Sequence, residues 1–165
     1  MNVDLVLVSL GQEVLLGVYQ ENCLRTSYIS KLKTSEGLVE VFSQAFEDFS
    51  NSQKYPQTPI IDGVYYAKGP GSFTSLKLTH IFLHTLALIH GFELYSTTGF
   101  YFNDNTPILA YANKYFEPHS NKEDFKGLTS VVSLKEMPKD FTLPSKLEKE
   151  NFSQFNAPFY ILPPI

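Results

Sequence analysis

The sequence predicts an α/β fold in which helices cover the faces of a mixed sheet. Two apolar runs near the start, residues 5–8 and 14–19, are typical of an antiparallel strand pair, and a weaker strand pattern follows at residues 25–31. Two helical patterns come next, and each of them precedes a short strand pattern, at residues 63–67 and 93–98. Strands first, followed by alternating helices and strands, predict a mixed sheet with helices packed on it.

The first helix is predicted from apolar residues that recur at helical spacing. Ser35 is its expected N-cap, because a serine hydroxyl accepts hydrogen bonds from the free N–H groups of a first turn. A polar stretch, residues 50–57, is expected to end the helix. The apolar positions that predict this helix are Leu38, Val41, Phe42, Ala45 and Phe49.

The second helix, residues 72–90, opens from a Gly-Pro-Gly elbow that follows the strand at residues 63–67. Glycines permit a sharp turn and close backbone approach, and Ser72 is expected to cap the helix. Taken alone, the elbow fits either a phosphate-cradling loop at a helix N-terminus or a tight connection between strand and helix. The segment lacks the Gly-Lys-Ser/Thr ending of a P-loop and the Gly-x-Gly-x-x-Gly spacing of a dinucleotide site, which favours the tight connection.

Apolar residues surround the second helix on more sides than one sheet-facing stripe requires. A second burial surface is therefore expected. The first helix, the other lobe and another protein chain are all candidates to cover it, and periodicity does not decide among them.

The second half of the chain carries weaker signals. Strands are predicted at residues 107–112 and 128–134, and a charged surface loop with little regular structure at residues 135–149. A turn-prone cluster at residues 103–105 marks the expected boundary between an N-terminal lobe, residues 1–104, and a small abbreviated C-terminal lobe, residues 105–165.

Composition indicates a globular protein that does not bind nucleic acid unaided. The chain has 165 residues, a net charge of −4 and 13 scattered Lys and Arg residues, whereas phosphate affinity depends on clustered cations. Its single cysteine, Cys23, cannot form an internal disulfide. The start lacks a basic signal region, and no apolar run approaches the roughly 18 residues of a membrane span. A cytoplasmic protein without membrane contact is expected.

No catalytic residue and no metal site is predicted. His80 and His84 lie four positions apart on the second helix, as paired zinc ligands do, but no third ligand is placed near them. Ser72 lacks the Gly-x-Ser-x-Gly pattern of a nucleophile elbow. Lys68 and Lys77 flank the elbow, which leaves anion binding there open, but lysine side chains in such positions are more commonly solvated.

The elbow carries a family resemblance. Gly69, Pro70, Gly71, Ser72, Phe73 and Thr74 resemble the GPGSFTG loop of the TsaB (YeaZ) family, which belongs to the actin-like, sugar-kinase-like ATPase superfamily. The order of elements is similar too, with a hairpin at residues 4–19, a third strand at 24–31, a helix entry at 34–36 in place of His-Ser-Glu, and a Pro-x-Tyr-Leu-like finish at 158–162. The resemblance implies a ribonuclease-H-like first lobe and a reduced second lobe.

The chain departs from the family pattern at positions that are associated with nucleotide binding in the superfamily. Ser9 stands where the family usually has Asp-Thr-Ser, and Thr34 stands at the helix-entry histidine. Ser75 begins the segment in which Gly-x-Arg is usual, and residues 112–114 replace Asp-Ala-Arg. These replacements argue against nucleotide chemistry by this chain.

The resemblance implies a non-catalytic scaffold subunit. In the TsaB family such a subunit stabilises the catalytic relative TsaD, which makes N6-threonylcarbamoyladenosine (t6A) in tRNA, and the small ATPase TsaE joins them. No cofactor is expected in the isolated chain, ATP, ADP and metal are expected in the assembled complex, and tRNA is expected to bind only through that complex. The elbow is then a structural or interface loop. The partner surface is expected on the helix pair, at Leu38, Phe42, Phe46, Ile81 and Leu83.

Two alternatives stay open. One is a self-sufficient enzyme of the ATPase, kinase or peptidase type, against which the missing aspartate and the missing nucleophile and base both count. The other is a homodimeric scaffold for a different partner, which the sequence does not exclude.

Overall fold

A five-stranded mixed sheet forms the centre of the computed structural model, which describes residues 1–118, 125–130 and 134–159. The spatial order of its strands is β3-β2-β1-β4-β5. β1 pairs antiparallel with β2 and parallel with β4, β2 pairs antiparallel with β3, and β4 pairs parallel with β5. The strands are β1 (Asn2–Val8), β2 (Val14–Gln20), β3 (Cys23–Ser30), β4 (Ile60–Ala67) and β5 (Glu93–Thr97). The predicted mixed α/β architecture is confirmed, and β1 and β4 begin three residues earlier than predicted, at Asn2 and Ile60.

Both long helices, α1 (Thr34–Phe49) and α2 (Phe73–His90), pack on one face of this sheet. Successive strand residues point to opposite faces. Leu5 and Leu7 of β1 accordingly pack beneath the helices, while Val6 and Val8 belong to a second core on the other face. The predicted side-by-side helix pair is present.

α1 begins two residues earlier than an N-cap at Ser35 would require, so that prediction is wrong. Lys33 occupies the cap position without a side-chain hydrogen bond. The backbone N–H groups of Glu36 and Gly37 donate to the Lys33 carbonyl at 3.0 and 2.7 Å, which places Ser35 inside the first turn.

α2 has the predicted cap. The Ser72 hydroxyl accepts a hydrogen bond from the Ser75 N–H at 3.2 Å. The helix ends at Gly91, which has φ +76° and donates its N–H to the Ala87 carbonyl. Such a left-handed glycine is a common helix end.

A three-stranded antiparallel sheet follows a short 3₁₀ helix, Gly99–Phe102. Its strands are β6 (Ile108–Tyr111), β7 (Lys114–Pro118) and β8 (Phe125–Ser130). The strand predicted at 107–112 is confirmed as β6. The strand predicted at 128–134 begins earlier, as β8, and residues 131–133 lie outside the described residues. The sequence analysis missed β7, because a run this short is stabilised mainly by pairing with β6 and β8.

Residues 134–159, here called the strap, return to the first sheet. Leu147 of the strap is buried in the second core. The Ser145 carbonyl accepts a hydrogen bond from the Leu24 N–H of β3 at 3.0 Å, and Ser153 exchanges two backbone hydrogen bonds with Ser96 of β5. The predicted irregular loop at 135–149 is therefore irregular but partly buried. The two-lobe division at residue 104 stays a prediction.

Among the residues that the structure describes, no helix combines the length and the apolar content that crossing a bilayer would require.

Candidate functional site

The elbow between β4 and α2 depends on one glycine for its backbone. Gly69 has φ +126°, a region that L side chains rarely adopt. A Cβ atom added there would lie 3.0 Å from the Phe159 Cβ and 3.1 Å from its carbonyl oxygen. Gly71 has no positive φ, and its added Cβ would meet Leu10 at 3.3 Å. The backbone conformation of the turn therefore requires glycine at position 69, whereas at position 71 the space beside Leu10 limits the size of the side chain.

The strap covers the elbow. The Phe159 N–H donates to the Lys68 carbonyl at 2.9 Å, and the Gly99 N–H donates to the Gly69 carbonyl at 2.8 Å. Lys68 donates its ammonium to the Phe155 carbonyl at 3.2 Å. Gly69, Pro70 and Gly71 are buried, whereas Ser72 and Thr74 are exposed and Phe73 is half-buried. The elbow is therefore a packed connection between strand and helix, and its residues 69–71 are closed to an incoming anion.

Two hydroxyl groups fill the space beyond the carboxyl end of β1. The Ser9 and Thr79 hydroxyls lie 2.9 Å apart, and both residues are buried. Ser9 thus points at α2 and is satisfied there. The sequence analysis did not single out Thr79, although a hydroxyl between Leu76 and Leu83 on the buried stripe of α2 was the available signal.

Two of the departures from the family pattern meet in space. Thr34 at the start of α1 and Ser75 in the first turn of α2 are joined by a hydrogen bond of 3.0 Å between their hydroxyls. The pair ties the starts of the two helices together. A contact across 41 positions in sequence has no local signal, so periodicity could not reveal it.

The structure corrects the predicted partner residues. Leu38, Phe42 and Leu83 are 1%, 2% and 0% exposed and pack in the core beneath the helices, so a partner cannot touch them in this fold. Phe46 is half-buried, with its ring 5.9 Å from Phe42. Ile81 is 52% exposed. The stripe that contacts the sheet was indistinguishable from the exposed stripe because both are apolar.

The exposed apolar side chains of the helix pair form what we call the outer face: Val39 on α1, and Leu78, Ile81, Leu88 and Ile89 on α2. Ile81 follows Leu78 by three positions, and Leu88 and Ile89 follow Ile81 by seven and eight, which is the spacing of one helix face. Lys77 is the ionisable group beside them on that side of the helix. Isolated apolar residues on a surface are ordinary, but a group of exposed apolar residues on one helix face, here interrupted by Thr85, is typical of an interaction surface.

Strap residue Asn156 anchors the strap beside the elbow. Its side-chain amide donates to the Leu94 carbonyl at 3.0 Å, and its backbone carbonyl accepts from the Tyr66 hydroxyl at 3.1 Å. Burial raises the pKa of Tyr66 to about 12, so this hydroxyl stays a donor at neutral pH.

Two open clefts lie away from the elbow and from the outer face. One, of about 400 Å³, lies between the β1–β2 turn and the second sheet and is lined by Glu13, Tyr115 and Phe141 among others. The other, of about 490 Å³, lies at the start of β1 beside Tyr55 and Arg25. Among the described residues that line these clefts there is no histidine, cysteine or serine, the residue types commonest as bases and nucleophiles.

Metal-ligating side chains do not cluster in the described part of the chain. No group of three or more His, Cys, Asp or Glu side chains there is placed to hold an ion. The rings of His80 and His84 lie with their centroids 4.0 Å apart and their planes tilted by 42°, and no third ligand joins them within the described residues.

The arrangement of a five-stranded mixed sheet with two helices on one face is shared with solved structures. YeaZ from Pseudomonas aeruginosa superposes with a TM-score of 0.55 at 11% identity, over 79% of this chain and 67% of that chain. A protein described as similar to the peptidase YeaZ from Pseudomonas aeruginosa gives 0.54 at 12% identity, over 85% and 71%. The chain therefore has a YeaZ-like fold, and the resemblance seen in the elbow sequence is confirmed at the level of the fold. No protein-family model matches the sequence, and no curated protein matches it significantly.

Proposed function

We propose that this chain is a TsaB-like accessory subunit that binds and stabilises a TsaD-like catalytic protein for t6A modification of tRNA. The YeaZ-like fold and the elbow sequence support the family, and with it the actin-like, sugar-kinase-like ATPase superfamily. The single observation that carries the binding role is the outer face of the helix pair. The proposal includes a cytoplasmic location for the chain.

The outer face has the chemistry of an interface core. Ile81, Leu88 and Ile89 are 52%, 88% and 69% exposed, so docking would remove much of their apolar surface from water. Burial of apolar surface is the main favourable contribution to protein association. Charged residues are depleted in the centre of interfaces, and the centre of this face is uncharged.

The non-catalytic part of the proposal is supported by Ser9. A superfamily member that handles ATP places a carboxylate near metal and phosphate, whereas Ser9 is buried and bonded to Thr79. ATP, ADP and metal belong in this proposal to the assembled complex, as do a TsaE-like ATPase and tRNA. ATP hydrolysis by the purified chain, above a buffer control, would contradict this part of the proposal.

The test places a charge in the outer face. Ile81→Asp should weaken binding to a TsaD-like protein by about 100-fold or more, because a carboxylate buried without a partner costs several kcal/mol and each 1.4 kcal/mol is tenfold. Gln44→Asp is the matched control. Gln44 is exposed, and it lies five residues and therefore about 140° around α1 from Val39, away from the outer face. Titration calorimetry measures binding, and circular dichroism checks folding.

A second copy of the chain is the competing occupant of this face. Light scattering of the free protein separates the cases, since a homodimer through the outer face would dissociate in Ile81→Asp and persist in Gln44→Asp. Leu88→Asp, at the most exposed position, serves if Ile81→Asp does not fold. Unchanged binding by both aspartate variants would remove the outer face from the proposal.

A further inference from the structure

The cleft at the start of β1, here called the Arg25 cleft, has an apolar floor and an apolar wall. Its floor is the helix-facing side of the sheet, because Val3 of β1 and Val18 of β2 line it and both belong to the core beneath the helices. Tyr55 and Pro56, which follow α1, form the wall. Its volume of about 490 Å³ is in the range of pockets that hold a small organic molecule.

A β-bulge directs two consecutive residues of β3 into this cleft. Val18 of β2 pairs with Thr26 of β3. The next pair is Tyr19 with Leu24, so Arg25 is an extra residue that has no opposite position on β2. Successive strand residues normally point to opposite faces, yet Arg25 and Thr26 both line the cleft. Bulges redirect side chains in this way and are common beside functional sites.

The side chain of Arg25 is available to a ligand. It is exposed, and in the described part of the chain its guanidinium makes no hydrogen bond and no ion pair. Arg25 is also the only arginine in the sequence. The side chains of Gln20 and Thr26, which line the cleft with it, are likewise unpaired within the described residues. Three hydrogen-bond donors on the neighbouring strands β2 and β3 therefore line one cleft.

The other charged side chains of the described lining, Asp48 and Lys54, are paired with each other. The Lys54 ammonium donates to the Asp48 carboxylate at 2.7 Å. The second oxygen of that carboxylate accepts a hydrogen bond from the Tyr28 hydroxyl at 2.6 Å. Among the described residues of the lining, Arg25 is therefore the charged side chain without a counter-charge. An anionic group on the ligand would supply that counter-charge.

We propose that the Arg25 cleft binds a small carboxylic acid with an apolar body, its carboxylate on Arg25 and its body against Tyr55 and Pro56. The planar guanidinium matches the two oxygens of a carboxylate and can bind both. Gln20 and Thr26 supply further donors to the same group. One unpaired cation balances a carboxylate, whereas a phosphate group carries nearly two charges and would keep part of its charge unbalanced beside Asp48. The apolar body leaves water for the wall and floor of the cleft.

The experiment is an NMR titration of the whole chain with two carboxylates, phenylbutyrate and octanoate, and with phenylbutanol, which has the phenylbutyrate body without the charge. Ligands of this size bind weakly, so saturation is expected at millimolar concentration. At least one of the carboxylates should shift the backbone amide signals of residues 18–20, 25–26 and 54–55 in a saturable way. Phenylbutanol should bind at least about tenfold more weakly than phenylbutyrate, because it lacks the hydrogen bonds to a charged group.

Arg25→Gln should weaken carboxylate binding by about tenfold or more and leave phenylbutanol binding unchanged, since only the carboxylate meets the guanidinium. Unchanged binding of the alcohol also shows that the cleft has kept its shape. Lys31→Gln is the matched control. Lys31 is exposed just past the other end of β3, so this variant removes the same charge away from the cleft and should bind the carboxylates as the wild type does.

Equal affinity of the wild type for phenylbutyrate and phenylbutanol would overturn the proposal, and this comparison requires no variant to fold. Unchanged carboxylate binding in Arg25→Gln would overturn it too, as would an equal loss in Lys31→Gln. The absence of a saturable shift at the cleft residues with both carboxylates would have the same meaning. No partner protein is needed, so the outcome is independent of the proposed function.

Discussion

At the scale of single residues, the elbow shows how one backbone angle selects an amino acid. The Gly-Pro-Gly sequence contains two glycines, and only Gly69 has a positive φ. Gly71 is instead limited by the space beside Leu10, where its added Cβ would lie 3.3 Å away. The two glycines are alike in sequence, and only the folded backbone separates a conformational requirement from a packing requirement.

The first prediction compares Gly69→Ala with Gly91→Ala. Gly69→Ala should lower the free energy of unfolding by about 3 kcal/mol or more, because backbone strain and the close contacts with Phe159 act together. Gly91 has φ +76° and no atom within 4 Å of an added Cβ, so its alanine variant should lose only about 1 to 2 kcal/mol. Urea denaturation measures both. Equal losses would show that the contacts with Phe159 contribute nothing.

At the scale of secondary-structure elements, α2 serves two surfaces with similar side chains. Leu76, Thr79 and Leu83 face the sheet, while Ile81 and Leu88 face outward. Thr79 shows why a buried stripe is not recognised by hydropathy alone, since its hydroxyl is hydrogen-bonded to that of Ser9, which directly follows β1. The start of α1 also depends on contacts that hydropathy does not reveal. Backbone N–H groups of its first turn donate to the Lys33 carbonyl, and the Thr34 hydroxyl is hydrogen-bonded to that of Ser75 on α2.

The hydrogen bond between Thr34 and Ser75 is tested at this scale. Thr34→Val and Ser75→Ala should each lower the free energy of unfolding by about 0.5 to 1.5 kcal/mol, the usual net contribution of one hydrogen bond. The double variant should lose clearly less than the sum, because the second substitution removes no further bond. Thermal or urea unfolding of all four proteins completes the cycle. Strictly additive losses would mean that the two hydroxyls do not interact.

At the scale of the whole molecule, the strap holds the sheet at both edges. It pairs with β3 through Ser145 and with β5 through Ser153, and these strands are the first and last of the sheet. Unpaired sheet edges invite association with other chains, and backbone pairing covers part of each edge. Between the two edges, strap residue Lys149 forms an ion pair with Asp4 of β1 at 2.8 Å.

The whole-molecule prediction tests this clamp. Asp4 is 7% exposed, and its Oδ1 has no partner in the described part of the chain, so Lys149→Met should leave a buried carboxylate unpaired. We expect a loss of about 1 to 3 kcal/mol, below the full cost of a broken buried pair because Lys149 itself is partly exposed. Lys33→Met, which breaks an exposed pair with Glu36, should cost less than about 1 kcal/mol. Matching losses in urea denaturation would show that the strap does not depend on Lys149.

The sequence by itself determined the order of elements through β5, the elbow and the Ser72 cap, because periodicity and turn chemistry act within a few neighbouring residues. The YeaZ-like fold was indicated by the resemblance of the elbow motif. Tertiary structure alone decided which apolar stripe is buried, which glycine needs its conformation and where the strap lies. Leu38, Phe42 and Leu83 could not be separated from Ile81 by pattern, since burial depends on which face meets the sheet. The pairs Ser9–Thr79, Thr34–Ser75 and Asp4–Lys149 join residues far apart in the chain, and only folding brings them into contact.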